Sequence, residues 1–80
     1  MTNLEQYHKI IKDNLKVTDE ELNDDALVYN RHPKWTSMSH MWLVADLEEK
    51  FGVQFETSDV TSFHKYSKGI EILKKLGVDL

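Results

Sequence analysis

The chain has 80 residues, and ten Lys and Arg against fourteen Asp and Glu give it a formal net charge of −4. This length predicts a single domain over residues 1–80, with a core too small to enclose a catalytic cleft. The acidic balance disfavours nucleic-acid binding, because phosphate contacts need clustered cations. The chain has no cysteine, which excludes disulfides, thiol nucleophiles and Cys-ligated zinc.

Neither a secretory signal nor a membrane-spanning stretch is visible in the sequence. We therefore expect a cytoplasmic, monomeric protein that does not insert into membranes. Acidic residues crowd positions 19–25, and three more follow at Asp46, Glu48 and Glu49. Electrostatic steering then favours partners with basic surfaces.

The first predicted helix begins at a capping box formed by Thr2 and Glu5 and ends near residue 16. Apolar residues repeat along it at helical spacing, namely Leu4, Tyr7, Ile11 and Leu15. Residues 18–34 have no regular pattern, but they contain scattered apolar anchors. We expect this long connection to pack over the core, because those anchors need burial.

The second predicted helix runs from Met38 to Phe51 and ends at Gly52, a favourable residue just past a helix end. Its apolar stripe consists of His40, Leu43, Val44, Leu47 and Phe51, widened by Met38, Met41 and Ala45. A stripe of this width predicts that the helix packs on more than one side.

Two shorter elements complete the predicted fold. Thr57 or Ser58 caps a brief helical turn around residues 59–61. The last helix carries Phe63, Tyr66, Ile70, Leu73 and Leu76 at helical spacing and ends at Gly77. Gly69 lowers the helix propensity, which predicts a close packing contact there. The sequence thus predicts an all-α four-helix bundle with a long first loop and a short third helix.

Ser37 lies where the irregular segment gives way to the second helix. A serine on the first turn of a helix faces free backbone N–H groups and the positive end of the helix dipole. A phosphate esterified to this hydroxyl would therefore lie in a favourable anion site. The alternative is that Thr36 and Ser37 serve only to start the helix, since both residue types are preferred N-caps.

The sequence around Ser37 resembles the acyl carrier proteins. The resemblance rests on residues 35–38, on the segment Leu-Glu-Glu-Lys-Phe-Gly-Val at residues 47–53, on Asp59 and on the apolar spacing of residues 63–73. These parts occur in the order and register of the family and span nearly the whole chain. In that family the serine of an Asp-Ser-Leu motif carries a 4′-phosphopantetheine arm.

The resemblance implies a carrier rather than an enzyme. A phosphopantetheinyl transferase, using coenzyme A and magnesium, would attach 4′-phosphopantetheine to Ser37, and the thiol of the arm would hold an acyl group as a thioester. Met38, Met41 and Ala45 are candidates for sheltering the acyl chain, with ordinary core packing as the alternative. Asp46, Glu48 and Glu49 are the residues expected to dock acyl-loading and acyl-transferring enzymes.

Four residues depart from the family pattern. Thr36 occupies the position of the usual aspartate, and Met38 that of the usual leucine. Ser39 and Trp42 stand where fatty-acid carriers commonly present acidic residues. Trp42 becomes a candidate aromatic anchor for a partner, with covering of the adjacent loop as the alternative. These departures favour a specialised lipid or secondary-metabolite pathway over general fatty acid biosynthesis.

Two other readings remain open: a peptidyl or aminoacyl carrier, and a carrier-like module that is never modified and acts by protein interaction alone. The four histidines show no metal-ligand spacing, so we expect no metal site. His40 follows Ser37 by one turn, and packing within the bundle is favoured over contact with a phosphate. A hydrolase using Ser37 lacks a base and an oxyanion site.

Overall fold

The computed structural model describes all 80 residues and contains four α-helices and no β-strand. The extents along its principal axes are 29 × 28 × 18 Å. No helix has both the length and the apolar character needed to cross a membrane. The helices are α1 (Asn3–Leu15), α2 (Ser37–Phe51), α3 (Thr57–Ser62) and α4 (Tyr66–Lys75), with a 3₁₀ turn at Asp19–Glu21.

Helix α1 has the predicted capping box and the predicted end. The Oγ1 atom of Thr2 accepts a hydrogen bond from the backbone N–H of Glu5 at 3.1 Å, and the carboxylate of Glu5 accepts one from the N–H of Thr2 at 2.8 Å. Lys16 ends the helix in the left-handed conformation, at φ 56°. Leu4 is not part of the buried stripe, which instead consists of Tyr7, Ile10, Ile11 and Leu15.

Helix α2 begins at Ser37, one residue before the predicted start, and ends as predicted at Gly52, whose φ is 63°. It packs against α1 through a stripe that includes the fully buried Leu43 and Leu47. The buried stripe of α2 is narrower than predicted. The three residues that widened the stripe in sequence are exposed, namely Met38, Met41 and Ala45.

The long connection between α1 and α2 packs over the core, as predicted from its apolar anchors. Of the anchors within residues 18–34, Leu27 is buried, and Leu22 and Tyr29 are partly buried against the core. Val17 and Trp35, just outside that stretch, are buried as well. Val28 forms an isolated antiparallel bridge with Lys65, which joins the connection to the segment between α3 and α4.

The N-cap residue of helix α3 is Glu56, one position before Thr57, the earlier of the two predicted caps. The buried carboxylate of Asp59 accepts a hydrogen bond from the backbone N–H of Glu56 at 3.0 Å and is also bonded to Lys75 of α4. Phe63 caps the end of α3 instead of starting α4, so the predicted last helix begins three residues too early.

Gly69 makes the close packing contact predicted for it. A Cβ atom built on this residue would collide with the hydroxyl of Tyr7 and lie 2.7 Å from Cε1 of Phe63. The hydroxyl of Tyr7 donates a hydrogen bond to the carbonyl of Tyr66 at 2.6 Å. The missing side chain thus allows α4 to approach α1 closely enough for this bond.

Candidate functional site

Ser37 is the first residue of α2 and is exposed. The cap of the helix is made by its neighbours: the Oγ of Ser39 accepts from the N–H of Thr36 at 2.9 Å, and the Oγ1 of Thr36 accepts from the N–H of Ser39 at 3.4 Å. The Ser37 hydroxyl takes no part in this capping box. It is therefore available for attachment of a group without loss of the helix start.

The backbone around Ser37 has the free donors that an anion would use. The N–H groups of Thr36, Ser39 and His40 are bonded to the capping atoms or to the carbonyl of Thr36. The N–H groups of Ser37 and Met38 belong to the first turn and have no intrahelical acceptor. Together with the positive end of the α2 dipole, they favour a negative group at the Ser37 hydroxyl.

The sequence on both sides of Ser37 is free of acid. No Asp or Glu occurs from Ala26 to Ala45, whereas Arg31 and Lys34 lie in this stretch and are exposed. Glu21, in the 3₁₀ turn, contacts the loop that precedes α2, where its Oε2 lies 2.7 Å from Nε2 of His32. This hydrogen bond holds the pKa of Glu21 below its usual range. The local charge is thus compatible with a phosphate ester.

His40 is a buried packing residue, as the sequence favoured. Its Nδ1 accepts a hydrogen bond from the indole N–H of Trp35 at 3.0 Å, and its Nε2 lies 2.9 Å from the carbonyl oxygen of Val60. An indole N–H only donates and a carbonyl only accepts. The ring is therefore neutral, with its proton on Nε2, and it joins α2 to the loop before it and to α3.

An apolar cleft of about 290 Å³ opens beside Ser37, between the start of α2, α3 and the long connection. Of the three residues predicted to shelter a bound chain, Met41 lines the cleft, whereas Met38 and Ala45 lie outside it. The cleft is lined by Tyr29, Ser37, His40, Met41, Val60, Thr61 and Phe63.

A second feature next to Ser37 is an exposed apolar patch, defined here as Met38, Met41 and Trp42. Their exposed fractions are 72%, 60% and 65%, although all three are large apolar side chains. Spacings of three and four residues place them on one face of α2. Exposed apolar groups that adjoin one another mark interaction sites more often than scattered ones do.

The three acidic residues predicted to dock partners have unequal environments. The carboxylate of Glu48 is half-buried and accepts a hydrogen bond from the backbone N–H of Phe55 at 2.8 Å, so it fastens the loop after α2. Asp46 accepts from the side chain of Asn14 at 2.8 Å. Asp46 and Glu49 line the groove between α1 and α2, on a different side of the helix from the cleft.

Several residues of the site were not found in the sequence. Tyr29, Val60 and Thr61 enter the cleft from separate elements, and Phe63 was assigned to the wrong helix. Trp35 does not line the cleft, but its indole N–H donates a hydrogen bond to His40. No spacing rule relates these positions, because some belong to the long connection and others to α3, and they meet only in the folded chain.

No group of three or more His, Cys, Asp or Glu side chains is arranged to hold a metal ion. No family model and no curated protein sequence matches this chain. A functional assignment therefore rests on the chemistry and geometry around Ser37.

Proposed function

We propose that this protein is an acyl carrier protein whose four helices form a bundle of the acyl-carrier type. In this proposal Ser37 carries a covalently attached 4′-phosphopantetheine arm. The protein is then a carrier that serves other enzymes and not an enzyme itself.

The observation that carries the proposal is the free hydroxyl of Ser37 at the start of α2. Thr36 and Ser39 satisfy the capping donors, so Ser37 is left exposed without a capping role. The unpaired N–H groups of the first turn and the absence of acid from residue 26 to residue 45 suit a phosphodiester at this position.

Thr36 performs the structural part of the role that aspartate has in the family motif. Threonine and aspartate both accept hydrogen bonds at an N-cap, and Thr36 does so here. What Thr36 lacks is the negative charge beside the serine. The proposal therefore requires a transferase that recognises the exposed serine without this charge.

The arm supplies a terminal thiol, which holds an acyl group as a thioester. The protein supplies the anchor at Ser37 and the adjoining apolar cleft. Tethering raises the effective concentration of the bound group at each partner enzyme.

The patch of Met38, Met41 and Trp42 is the proposed contact for the transferase and for acyl-loading and acyl-transferring enzymes. Trp42 is its natural anchor, since large exposed aromatics dominate binding at interfaces. Asp46 and Glu49 offer a secondary contact for basic partner surfaces, while Glu48 mainly supports the loop after α2. A cytoplasmic, monomeric carrier of a specialised lipid or secondary-metabolite pathway fits this surface.

The same patch favours one second candidate. A carrier-like interaction module without an arm would use Met38, Met41 and Trp42 in the same way, and Thr36 in place of aspartate suits a chain that is never modified. An aminoacyl carrier would differ from the first proposal only in its cargo.

Intact-mass spectrometry separates these functions. The protein is incubated with coenzyme A, magnesium and a broad-specificity phosphopantetheinyl transferase, alongside the variants Ser37→Ala and Ser39→Ala. We expect one phosphopantetheine unit to be added to the parent and to Ser39→Ala, and none to Ser37→Ala. No addition to the parent with several transferases would contradict the carrier proposal and favour the unmodified module.

A further inference from the structure

His40 and Phe63 form the inner wall of the apolar cleft beside Ser37, because they are the two buried residues of its lining, at 6% and 1% exposed. The His40 ring packs against two aromatic side chains, Trp35 and Phe63, each 1% exposed. The ring centroids of these two residues lie 5.9 and 5.4 Å from that of His40. The volume of about 290 Å³ is at the lower end of the range of ligand pockets, about 300–1,000 Å³.

His40 is fixed in this position from both sides. Its Nδ1 is bonded to the indole N–H of Trp35, and its Nε2 donates to the carbonyl of Val60. No buried side-chain polar atom in the structure lacks a hydrogen-bond partner. Moving the ring aside would leave the indole N–H and the imidazole unsatisfied in an apolar interior, which is strongly unfavourable.

A chain tethered at Ser37 that folds back onto the protein first meets the less buried lining residues Met41, Val60 and Thr61. Its first few carbons gain from burial there. Further carbons reach the His40 ring, where burial requires breaking both of its hydrogen bonds.

We infer that His40 sets a length limit on the cargo, so that the protein shelters only short acyl groups and leaves longer chains in solvent. This inference rests on the proposed function for its biological meaning, because it names the class of cargo for the same site. It assigns to His40 a specificity-determining role through the closed cleft and gives it no contact with the reacting thioester.

The absence of native cysteine allows a test that does not depend on any transferase. The variant Ser37→Cys is reacted with ethyl, butyl and decyl methanethiosulfonate, so that each alkyl group is attached at position 37 by a disulfide. The melting temperature of each adduct is measured, together with the NMR resonance of the Trp35 indole N–H, which reports on the bond to His40.

We expect the butyl adduct to melt above the ethyl adduct, and the decyl adduct to melt within about 2 °C of the butyl adduct, with the Trp35 resonance unmoved. A decyl adduct that melts more than about 4 °C above the butyl adduct, with a displaced Trp35 resonance, would overturn the inference. In a domain of this length, a rise of that size in the melting temperature corresponds to about 1 kcal/mol of added stability.

The variant His40→Ala, made in the Ser37→Cys background, removes the closure of the cleft. We expect its decyl adduct to melt about 4 °C or more above its butyl adduct. Leu43→Ala is the matched control, because it empties a fully buried position of the same helix that does not line the cleft. No such gain is expected for it. If His40→Ala fails to fold, the adduct series without this substitution still decides the length limit.

The two tests fail independently. Loss of the mass gain at Ser37 in the parent would refute the arm without touching the alkyl series. A decyl chain that is buried in the Ser37→Cys protein would refute the length limit and leave the carrier proposal standing.

Discussion

Gly69 shows how much of the packing depends on one absent side chain. The Tyr7 hydroxyl and the Phe63 ring both occupy the space where a Cβ would lie. Burial raises the pKa of Tyr7 well above its usual value, so the hydroxyl stays protonated and keeps donating to the carbonyl of Tyr66. Phe63 is only 1% exposed.

Replacing Gly69 by alanine should destabilise the protein although alanine favours helix. The gain in helix propensity is about 1 kcal/mol. Overpacking against Tyr7 and Phe63 costs about 1–3 kcal/mol or more, because both side chains are buried and the Tyr7 hydroxyl is held by its hydrogen bond to Tyr66. We expect a net loss of about 1–2 kcal/mol in urea unfolding. Lys74→Ala on the exposed face of α4 is the control, and equal stability of the two variants would contradict the packing argument.

Residue-scale features were predictable where their cause was local. The Thr2–Glu5 box, the end of α2 at Gly52 and the tight contact at Gly69 all follow from neighbouring residues or from a residue type with few uses. The role of His40 was predicted only in outline. Its partners Trp35 and Val60 come from other elements, so the bonds that fix its tautomer have no signature in the sequence.

At the scale of elements, α4 is capped from a distance. Its N-cap residue, Lys65, makes no side-chain cap. The carboxylate of Asp24, in the long connection, accepts from the backbone N–H and from the hydroxyl of Ser67, both at 2.7 Å. These two bonds, the backbone one first, hold the pKa of Asp24 below its usual range. The connection therefore completes a helix that begins more than forty residues later.

This arrangement predicts different effects for two adjacent aspartates. Asp24→Ala should lower the free energy of unfolding by about 1 kcal/mol, as loss of a helix cap does, and should speed hydrogen exchange in the first turn of α4. Asp25→Ala is the control, since Asp25 is exposed and makes no hydrogen bond to α4. Similar losses for both variants, measured by urea unfolding, would refute a capping role for Asp24.

The long-range cap also explains which element boundaries could be predicted. The helices with strong local caps, α1 and α2, were located to within about one residue. The limits of α3 and α4 were misplaced, because the helical spacing of apolar residues already includes Phe63, whereas Phe63 ends α3 and α4 begins only at Tyr66. The exposed face of α2 was also misjudged. Apolar residue type alone does not distinguish the exposed Met38 and Met41 from residues of a core.

At the scale of the whole molecule, six carboxyl groups have a pKa that departs from its usual value, and in all six it is lowered. Each of these groups has a folded-state pKa below its usual value because it accepts hydrogen bonds or lies beside a cation. A lowered pKa contributes stability above the unfolded-state value that is lost as the pH falls. The parent should therefore lose stability in acid. The groups are Glu5, Asp13, Asp19, Glu21, Asp24 and Asp59.

Asp59 offers the clearest test of this acid dependence, because its carboxylate joins α3 to α4 and is only 2% exposed. The hydrogen bond from Lys75 is the main cause of its lowered pKa, and the backbone N–H of Glu56 adds to it. The unfolded-state value is about 3.9. The contribution of Asp59 is thus complete above about pH 5 and disappears as the pH falls through the lower folded-state value.

The variant Asp59→Asn keeps an oxygen that can accept from Glu56 but loses the charge that faces Lys75. We expect it to be less stable than the parent by about 1 kcal/mol or more at pH 7, since a hydrogen bond to a charged group is lost. The difference should shrink below about pH 4, because protonation removes the same charge from the parent. Urea unfolding from pH 7 to pH 3 measures both curves.

Lys75→Met should converge on the parent in the same way, while Lys74→Met, beside it, should follow the parent at every pH. If the difference in free energy of unfolding between Asp59→Asn and the parent stays constant down to pH 3, the negative charge of Asp59 does not stabilise the fold.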